Sequence, residues 1–423
     1  MPDAGAVAIL VDAFHSGTQF IPELAARGIG CVHVQTRDWP PSMYPQLTDD
    51  PFLAVLRPGQ DLPVQDLTQT LDDLRQYRPV CVLAGSESGV ELADQIADGL
   101  DLPGNELGKS HARRDKYAMA NAVSKAGLRT IRQVRCTDID SAVTWAAENI
   151  SGQAVVKPLD SAGTDDVFFC ETPADIRRRA AMILGHRHHL GVVNRAVLVQ
   201  EFIEGSEYIV DTVSCDGDHR VTAIWLYHKH HLPGVTAIYD WDELVDPRSP
   251  EAAPLIDYTK GVLDALDIRY GPAHTEIMVD KDGPVLIECG ARLDGLEYLP
   301  LAQRCFGTSQ LQITCDAYLD RGAFQAGPDV LIPRARSINV VLITHGETVM
   351  ATTKKLSQIE ALPSFAGLLL RAKPGDRLPV TVDYQTAPGV VFLAHEDRNV
   401  IESDLRQLRK LEAGGLFSPD TDL

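Results

Sequence analysis

The chain has 423 residues, with 39 Lys and Arg against 59 Asp and Glu, which gives a formal net charge of −20. This length exceeds one ordinary domain and predicts two or three packed units, while the hydrophobic content of 44% is normal for a soluble globular protein. The strong negative charge argues against a general nucleic-acid binder and against binding to anionic membrane surfaces.

The first 105 residues alternate short apolar strands with helices. The predicted strands lie at 6–11, 31–35 and 80–84, and the predicted helices at 18–27, 67–77 and 90–100. This alternation predicts a parallel sheet of Rossmann-like order. Ligands usually bind at the carboxyl ends of such strands, but the loops that follow the first and third strands carry no GxGxxG fingerprint, which argues against a dinucleotide.

Two lysines mark the next part of the chain. Lys116 lies at the start of an amphipathic helix that Gly127 closes, and Lys157 ends the apolar strand 154–157. A helical lysine is usually solvated, whereas a lysine that ends a buried strand needs a partner. The strand leads into a loop of small residues, which lets backbone N–H groups approach phosphate oxygens closely. This loop contains Ser161, Ala162, Gly163 and Thr164.

A second apolar segment begins at Val197 and continues into a polar hinge. The hinge contains Gln200, Glu201 and Ile203, and Glu207 follows just before the predicted strand 209–213. Taken alone, these acidic residues are equally consistent with an exposed loop.

The segment 274–292 predicts a β-hairpin around a tight turn at 281–283. This register places Glu276 opposite Glu288, with Cβ atoms about 4.5–5.5 Å apart. On the other face it pairs Ile277 with Ile287 and Val279 with Val285. Facing carboxylates repel unless a cation lies between them, and hard cations such as Mg2+ prefer these oxygen ligands. The alternative is a solvated acidic edge of a hairpin.

These four segments, in this order, resemble the ATP-grasp superfamily of carboxylate–amine and carboxylate–thiol ligases, over roughly residues 106–325. The resemblance implies that ATP and Mg2+ bind here, with Mn2+ as an expected substitute. Glu276 and Glu288 would bridge the metal, and Glu207 would accept hydrogen bonds from the ribose. The implied phosphate-binding residues are Lys116, Lys157, Ser161, Ala162, Gly163 and Thr164, and the implied adenine-binding residues are Gln200, Glu201 and Ile203.

The same resemblance implies a catalytic pair. Arg292 would steady an acyl phosphate, and Arg292 or His274 would supply positive charge as an amine attacks. The family usually has Asn at the position of Gly290, so the third metal ligand is either another protein group or water. The implied substrate-side candidates are Arg292, Ser16, Glu87, His228 and His230. For the histidine clusters at 186–189 and 228–231, zinc is the less favoured interpretation.

From about residue 326 the pattern changes. The predicted strands lie at 337–344, 348–354, 367–370 and 390–395, and the predicted helix at 404–412. This resembles the small C-terminal domain that closes many ATP-grasp ligases. The predicted fold is therefore α/β, an ATP-grasp domain at 106–325 between an N-terminal Rossmann-like parallel-sheet domain at 1–105 and a small C-terminal α+β domain at 326–423.

Two further segments, 83–93 and 112–116, look most like the bacterial L-amino-acid ligases, which join two amino acids into a dipeptide. The resemblance implies an ATP-dependent carboxylate–amine ligase that forms an acyl phosphate and releases ADP and phosphate. The alternatives are another ATP-grasp ligase or carboxylase of central metabolism, or a non-catalytic ATP-binding regulatory module. A regulatory module has no physical need for a facing carboxylate pair, which argues against it.

The partners and the compartment follow from the same observations. Small-molecule amino acids are the expected substrates, no nucleic-acid or membrane partner is expected, and a homodimer is an expectation because relatives are often dimers. Eight cysteines without a CxxC pair predict reduced, buried thiols. With neither a basic signal-peptide region nor an apolar stretch of membrane-spanning length, the sequence predicts a cytoplasmic protein.

Overall fold

The computed structural model describes residues 5–36, 48–58, 66–161, 163, 165–188, 190–230, 238–351, 354–382, 384 and 386–418. Within these ranges no helix combines the length and the apolar character that crossing a bilayer requires. All eight cysteines are buried and free, as the sequence predicts.

The N-terminal part forms a four-stranded parallel sheet. It contains β1 (Val7–Val11), α1 (Phe20–Ala26), β2 (Gly30–Val34), β3 (Ala54–Leu56), α2 (Thr68–Arg75), β4 (Pro79–Ala84) and α3 (Val90–Gly99), with 3-10 helices at His15–Gln19 and Glu87–Gly89. The strand order is β3-β2-β1-β4, and all described pairings in this sheet are parallel. The predicted Rossmann-like sheet is confirmed. The sequence does not predict β3, because three half-buried residues show no strand period.

A small antiparallel sheet follows. This part contains a 3-10 helix at Leu107–Arg113, then α4 (Lys116–Lys125), β5 (Gln133–Cys136), α5 (Ile139–Asn149), β6 (Ala154–Lys157), β7 (Phe168–Cys170), α6 (Pro173–Ile183) and β8 (Val197–Glu201). The strand order is β5-β8-β6-β7. Val156 packs in the core with α5 and α6, whereas its neighbours Val155 and Lys157 point to the opposite face, as strand alternation requires.

A large sheet of eight strands forms the rest of the molecule. Its first part contains β9 (Ser206–Cys215), β10 (Asp218–His230), β11 (Ile238–Leu244), α7 (Ala252–Ala265), β12 (Gly271–Asp280), β13 (Gly283–Gly290), α8 (Leu299–Phe306), α9 (Gln310–Leu319) and α10 (Arg321–Ala326). Ile277 packs among the buried residues of α7, while Glu276 and Met278 line a cavity on the other face.

Five strands lie in the C-terminal part, of which three extend the same sheet and two short ones pair with each other as a separate sheet. They are β14 (Arg336–Val341), β15 (Thr348–Val349), β16 (Phe365–Leu370), β17 (Arg377–Leu378) and β18 (Gly389–His395), with a 3-10 helix at Lys354–Leu356 and the helices α11 (Ser357–Glu360) and α12 (Arg398–Ala413). The strand order is β13-β12-β9-β10-β11-β14-β18-β16. Residues on both sides of position 325 therefore share one sheet, and the domain boundaries proposed from the sequence stay predictions.

Two C-terminal elements differ from their predicted bounds. The strand predicted at 348–354 is short, since β15 ends at Val349, and residues 352 and 353 lie outside the described ranges. The helix predicted at 404–412 begins earlier, at Arg398, because the side chain of Asp397 caps it by accepting a hydrogen bond from the backbone of Asn399.

The β12–β13 hairpin keeps its most important predicted pair. Glu276 lies opposite Glu288. The predicted pairs Ile277–Ile287 and Val279–Val285 are wrong, because the turn pairs Asp280 with Gly283 and so holds one residue fewer than predicted. A bulge next to Glu276 restores the register, and it allows the consecutive residues Ile287 and Glu288 both to line the cavity.

Candidate active site

A cavity of about 620 Å³ lies between the small sheet and the large sheet. It brings together most residues that the sequence singles out. These are Lys116, Lys157, Ser161, Gly163, Gln200, Ile203, Glu207, His228, His274, Glu276, Glu288 and Arg292. Ala162, Thr164 and the side chain of His230 lie outside the described part of the chain.

One end of the cavity is lined mainly by apolar residues and is bounded by Lys116 and Lys157. Ile131 and Val155 line one wall there, and Met278 lines the wall formed by the large sheet. Burial and the charge of Lys116 lower the pKa of Lys157 to about 8. A buried cation beside an apolar slot suits a ligand with a flat ring and an anionic tail.

Lys116 joins the small-residue loop to the carboxylate pair. Asp115 caps α4 through its side chain, which fixes Lys116 at the first position of the helix. Its Nζ donates to the backbone oxygen of Ser161 at 2.7 Å and to Oε1 of Glu288 at 2.8 Å. The Ser161 hydroxyl donates to Asp165 at 2.6 Å, so the start of the loop is held on both sides.

The facing carboxylates fit a hard divalent cation. Burial alone would raise the pKa of Glu276, but His274, Lys229 and Arg292 lower it to about 2. Both carboxylates are oxygen donors on adjacent strands, and each already has a cation nearby, Lys116 for Glu288 and His274 for Glu276. This donor set suits Mg2+ rather than a thiolate-preferring metal.

His274 lies among three carboxylates. Its Nδ1 is 2.8 Å from Asp211 and 3.5 Å from Asp294, and its Nε2 is 3.8 Å from Glu276. Burial alone would lower the pKa of His274, but these carboxylates raise it to about 10. His274, Asp211 and Asp294 are close enough to share a metal ion. A histidine ligand must be neutral, however, so the geometry fits an imidazolium better.

Glu87 is a buried link rather than a group that lines the cavity. Its carboxylate accepts hydrogen bonds from Arg114 and, at 3.0 Å, from Nε of Arg292. Burial alone would raise the pKa of Glu87, but the charges of Arg114 and Arg292 keep it below its usual value. The loop after β4 thereby positions Arg292, which does line the cavity.

The same link explains Gly290. A Cβ atom at this position would lie 2.9 Å from Oε2 of Glu87 and 3.3 Å from Cζ of Arg292. An asparagine there would collide with this ion pair. The space that a side chain at position 290 would take is therefore filled by Glu87 and Arg292 in this chain.

Two other predicted residues have different surroundings. The side chain of Glu201 accepts a hydrogen bond from the backbone of Arg132, away from the cavity-lining residues that the structure describes. Ser16 is buried in a 3-10 helix, and its neighbour His15 lines the cavity instead. Burial and the charges of Arg371 and Arg292 lower the pKa of His15 to about 4, so its imidazole is neutral.

The two histidine clusters also differ in their surroundings. The sequence favours solvated residues at 186–189, but His188 is buried, with Nε2 3.2 Å from Asp160 at the start of the small-residue loop. His228 stacks on Trp241 with ring centroids 4.4 Å apart and lies 3.4 Å from Glu243.

Sequence reasoning missed three acidic residues of the site, Asp211, Asp242 and Asp294. Asp211 follows Glu207 and Ile209 at alternate positions of β9, which places all three on one face of the sheet. Asp242 repeats this pattern on β11, where it is buried and lines the cavity. For Asp211, an acid within the apolar strand β9 was the available signal.

Comparisons with known proteins agree with this geometry. A sequence model of the ATP-grasp domain matches residues 150–298. Dapdiamide A synthase of Enterobacter agglomerans is 30% identical over 414 residues, which cover 96% of this chain and 96% of that protein. This chain belongs to the ATP-grasp family of carboxylate–amine ligases.

Solved structures show the same fold. An L-amino acid ligase from Bacillus licheniformis has a TM-score of 0.74 at 17% identity, covering 96% of this chain and 98% of that one. N5-carboxyaminoimidazole ribonucleotide synthetase in complex with ADP has a TM-score of 0.69 at 14% identity, with 97% of each chain covered. The predicted ATP-grasp fold is confirmed.

The position of Glu87 leads to a stability prediction for this ATP-grasp ligase. Glu87→Gln should lower the free energy of unfolding by about 2–4 kcal/mol, because the buried guanidinium of Arg114 and the partly buried one of Arg292 lose their charged partner. Glu91→Gln is the matched control, since this partly exposed residue pairs with the exposed His111 and should change stability by less than about 1 kcal/mol. Urea unfolding measures both, and equal stability of the two variants would contradict the positioning role.

Proposed function

We propose that this protein joins two amino acids through an acyl phosphate, with release of ADP and inorganic phosphate. One observation carries the proposal. The facing carboxylates of Glu276 and Glu288 lie in the same cavity as Lys116, Lys157 and Arg292. This set has the charges that phosphoryl transfer to a carboxylate requires, namely cations for phosphate and carboxylates for a metal ion.

The nucleotide would occupy the apolar end of the cavity. In the proposed arrangement, Lys116, Lys157 and the loop of Ser161, Ala162, Gly163 and Thr164 bind the phosphates. Gln200, Glu201 and Ile203 bind the adenine, with Glu201 acting through its backbone because its side chain faces Arg132. Glu207 binds the ribose, although it now accepts two hydrogen bonds of 2.7 Å from Lys229. Nucleotide binding would therefore compete with that ion pair.

Glu276 and Glu288 would hold Mg2+, which neutralises phosphate charge when bound. Because position 290 has no side chain and its space is filled, we propose that water completes the ligand set. We expect Mn2+ to replace Mg2+, since it also accepts oxygen ligands.

The reaction has two steps. A carboxylate oxygen of one amino acid attacks the γ-phosphorus of ATP, and ADP leaves. The neutral amine of the second amino acid then attacks the acyl carbon. Inorganic phosphate leaves with the electron pair of the broken C–O bond and takes up the proton that the amine nitrogen loses. Arg292 steadies the acyl phosphate, and His274 orients Glu276 and adds positive charge. The loop 160–166 would close over the site, because water would hydrolyse the acyl phosphate.

Burial of the thiols supports an acyl phosphate over an acyl-enzyme. Cys289 lies next to Glu288, but burial raises the pKa of its thiol to about 12. All eight cysteines are buried, so none offers an accessible thiolate as a nucleophile. A homodimer and a cytoplasmic location stay predictions from the sequence.

The reaction is tested with a panel of amino-acid pairs, ATP and Mg2+, analysed by mass spectrometry and by assays for ADP and phosphate. We expect a dipeptide together with equal amounts of ADP and phosphate for at least one pair. Formation of AMP, or ATP consumption that is indifferent to every carboxylate offered, would overturn the proposal.

The metal pair is tested with Glu288→Gln. This substitution removes one negative charge that holds Mg2+ and should reduce turnover by at least about 100-fold, while the fold remains intact. Glu148→Gln, on the exposed face of α5, is the control and should keep wild-type turnover. Near-wild-type turnover of folded Glu288→Gln at saturating Mg2+ would remove Glu288 from the metal site.

A further inference from the structure

The cavity contains a buried carboxylate on β11, two strands away from Glu207 of the proposed nucleotide site. Asp242 lies on β11 and lines the cavity, yet its exposed fraction is only 3%. Its Oδ1 atom has no hydrogen-bond partner among the residues that the structure describes. A buried carboxylate oxygen without a partner destabilises the ionised carboxyl, and a positively charged ligand group beside Asp242 would offset this cost.

Nearby cations already have acidic partners. Lys229 donates to both carboxylate oxygens of Glu207, and Arg409 pairs with Asp240, which also lines the cavity. Burial and the negative charge of Asp294 raise the pKa of Asp242 well above its usual range. A raised pKa means that the Asp242 carboxyl loses its charge unless a cation lies beside it, and a positively charged ligand group would supply that cation.

The surrounding walls are largely apolar. Trp241, Leu296, Val341 and Tyr384 line the cavity near Asp242. In the sheet, Asp242 lies opposite Tyr227 on β10 and Asn339 on β14. An acid within an apolar enclosure suits a small organic cation with hydrocarbon parts better than a hydrated metal ion, which would need more oxygen ligands.

The sheet also sets the distance from the reacting groups. Strands β9 and β10 separate β11 from β12, which carries Glu276. Three strand spacings amount to about 14 Å between the backbones. This spacing places Asp242 away from the acyl phosphate, so a substrate group beside it would lie several bonds from the reacting carboxyl.

We propose that Asp242 binds an ammonium group of the carboxylate substrate and thereby selects substrates that carry such a group away from the reacting carboxyl. The inference rests on the proposed function, because it assumes that an amino acid occupies this cavity. The ammonium has two sources, the side chain or the α-carbon. The distance across the sheet favours the side chain.

The test uses two pairs of carboxylates that differ by one ammonium group. L-lysine and L-norleucine vary the side-chain ammonium, and L-leucine and 4-methylpentanoate vary the α-ammonium. Each is offered to the wild type, Asp242→Asn and Glu243→Gln with ATP, Mg2+ and one accepted amine. Glu243 is the matched control, because it follows Asp242 on the same strand and pairs with His228 and Arg398, but its own side chain does not line the cavity.

We expect the wild type to prefer the ammonium-bearing member of at least one pair, chiefly through KM. In Asp242→Asn, kcat/KM for that member should fall by about 30-fold or more, as for loss of a buried charged partner. The other member should be unaffected, and Glu243→Gln should keep the preference. The pair that responds identifies the source of the ammonium.

Two results would overturn the inference. One is a wild type without a preference in either pair, or a folded Asp242→Asn variant that keeps the wild-type preference. The other is an equal loss for both members, which would indicate a structural role for Asp242, such as a protonated carboxyl beside Asn339.

Calorimetry separates this inference from the proposed function. The same four carboxylates are titrated into wild type and Asp242→Asn, each saturated with Mg2+ and ADP. Ammonium-dependent binding that Asp242→Asn loses would support the inference even if no ADP is ever released from ATP. Identical binding of all four compounds by both proteins would contradict it, whatever the turnover assay gives.

Discussion

The opposition of Glu276 and Glu288 across one hairpin is the constraint on which the site depends. Two carboxylates on neighbouring strands repel, so each requires a positive neighbour. Lys116, at the start of α4, is the positive neighbour of Glu288. His274, on the same strand as Glu276, is the positive neighbour of Glu276. Lys116 also donates a hydrogen bond to the backbone oxygen of Ser161, and His274 forms ion pairs with Asp211 and Asp294. The same electrostatic requirement therefore accounts for the positions of the small-residue loop and of the acidic groups around His274.

A second ion-pair cluster connects the N-terminal sheet to this centre. Glu87 accepts hydrogen bonds from Arg114 and Arg292. Arg114 also donates a hydrogen bond to the backbone oxygen of Asp160, where the small-residue loop begins. The N-terminal part therefore contributes by fixing Arg292 rather than by contacting ligand through Glu87. The absence of a side chain at Gly290 is a consequence, since the Glu87–Arg292 pair fills that space.

Local sequence patterns predicted the groups that lie on short, regular segments. Lys157 ends a buried strand, and Glu276 faces Glu288 across a tight turn, so both positions follow from strand period and turn length. Asp242 and Asp294 could not be assigned in this way, because their surroundings come from strands that are distant in sequence. The extension of the large sheet by β14, β18 and β16 could not be predicted for the same reason, because pairing between β11 and β14 leaves no local signal in the sequence. The sequence did not predict the bulge at Ile287, because the bulge compensates for a turn that is one residue shorter than the predicted turn.

The central claim is that a carboxylate accepts the γ-phosphoryl group before the amine attacks. It is tested most directly by offering an accepted amino acid labelled with 18O in both carboxyl oxygens and analysing the released phosphate. The account predicts that each phosphate carries one 18O atom, because the bridging oxygen of the acyl phosphate leaves with phosphorus. Unlabelled phosphate, or 18O recovered in AMP, would contradict it.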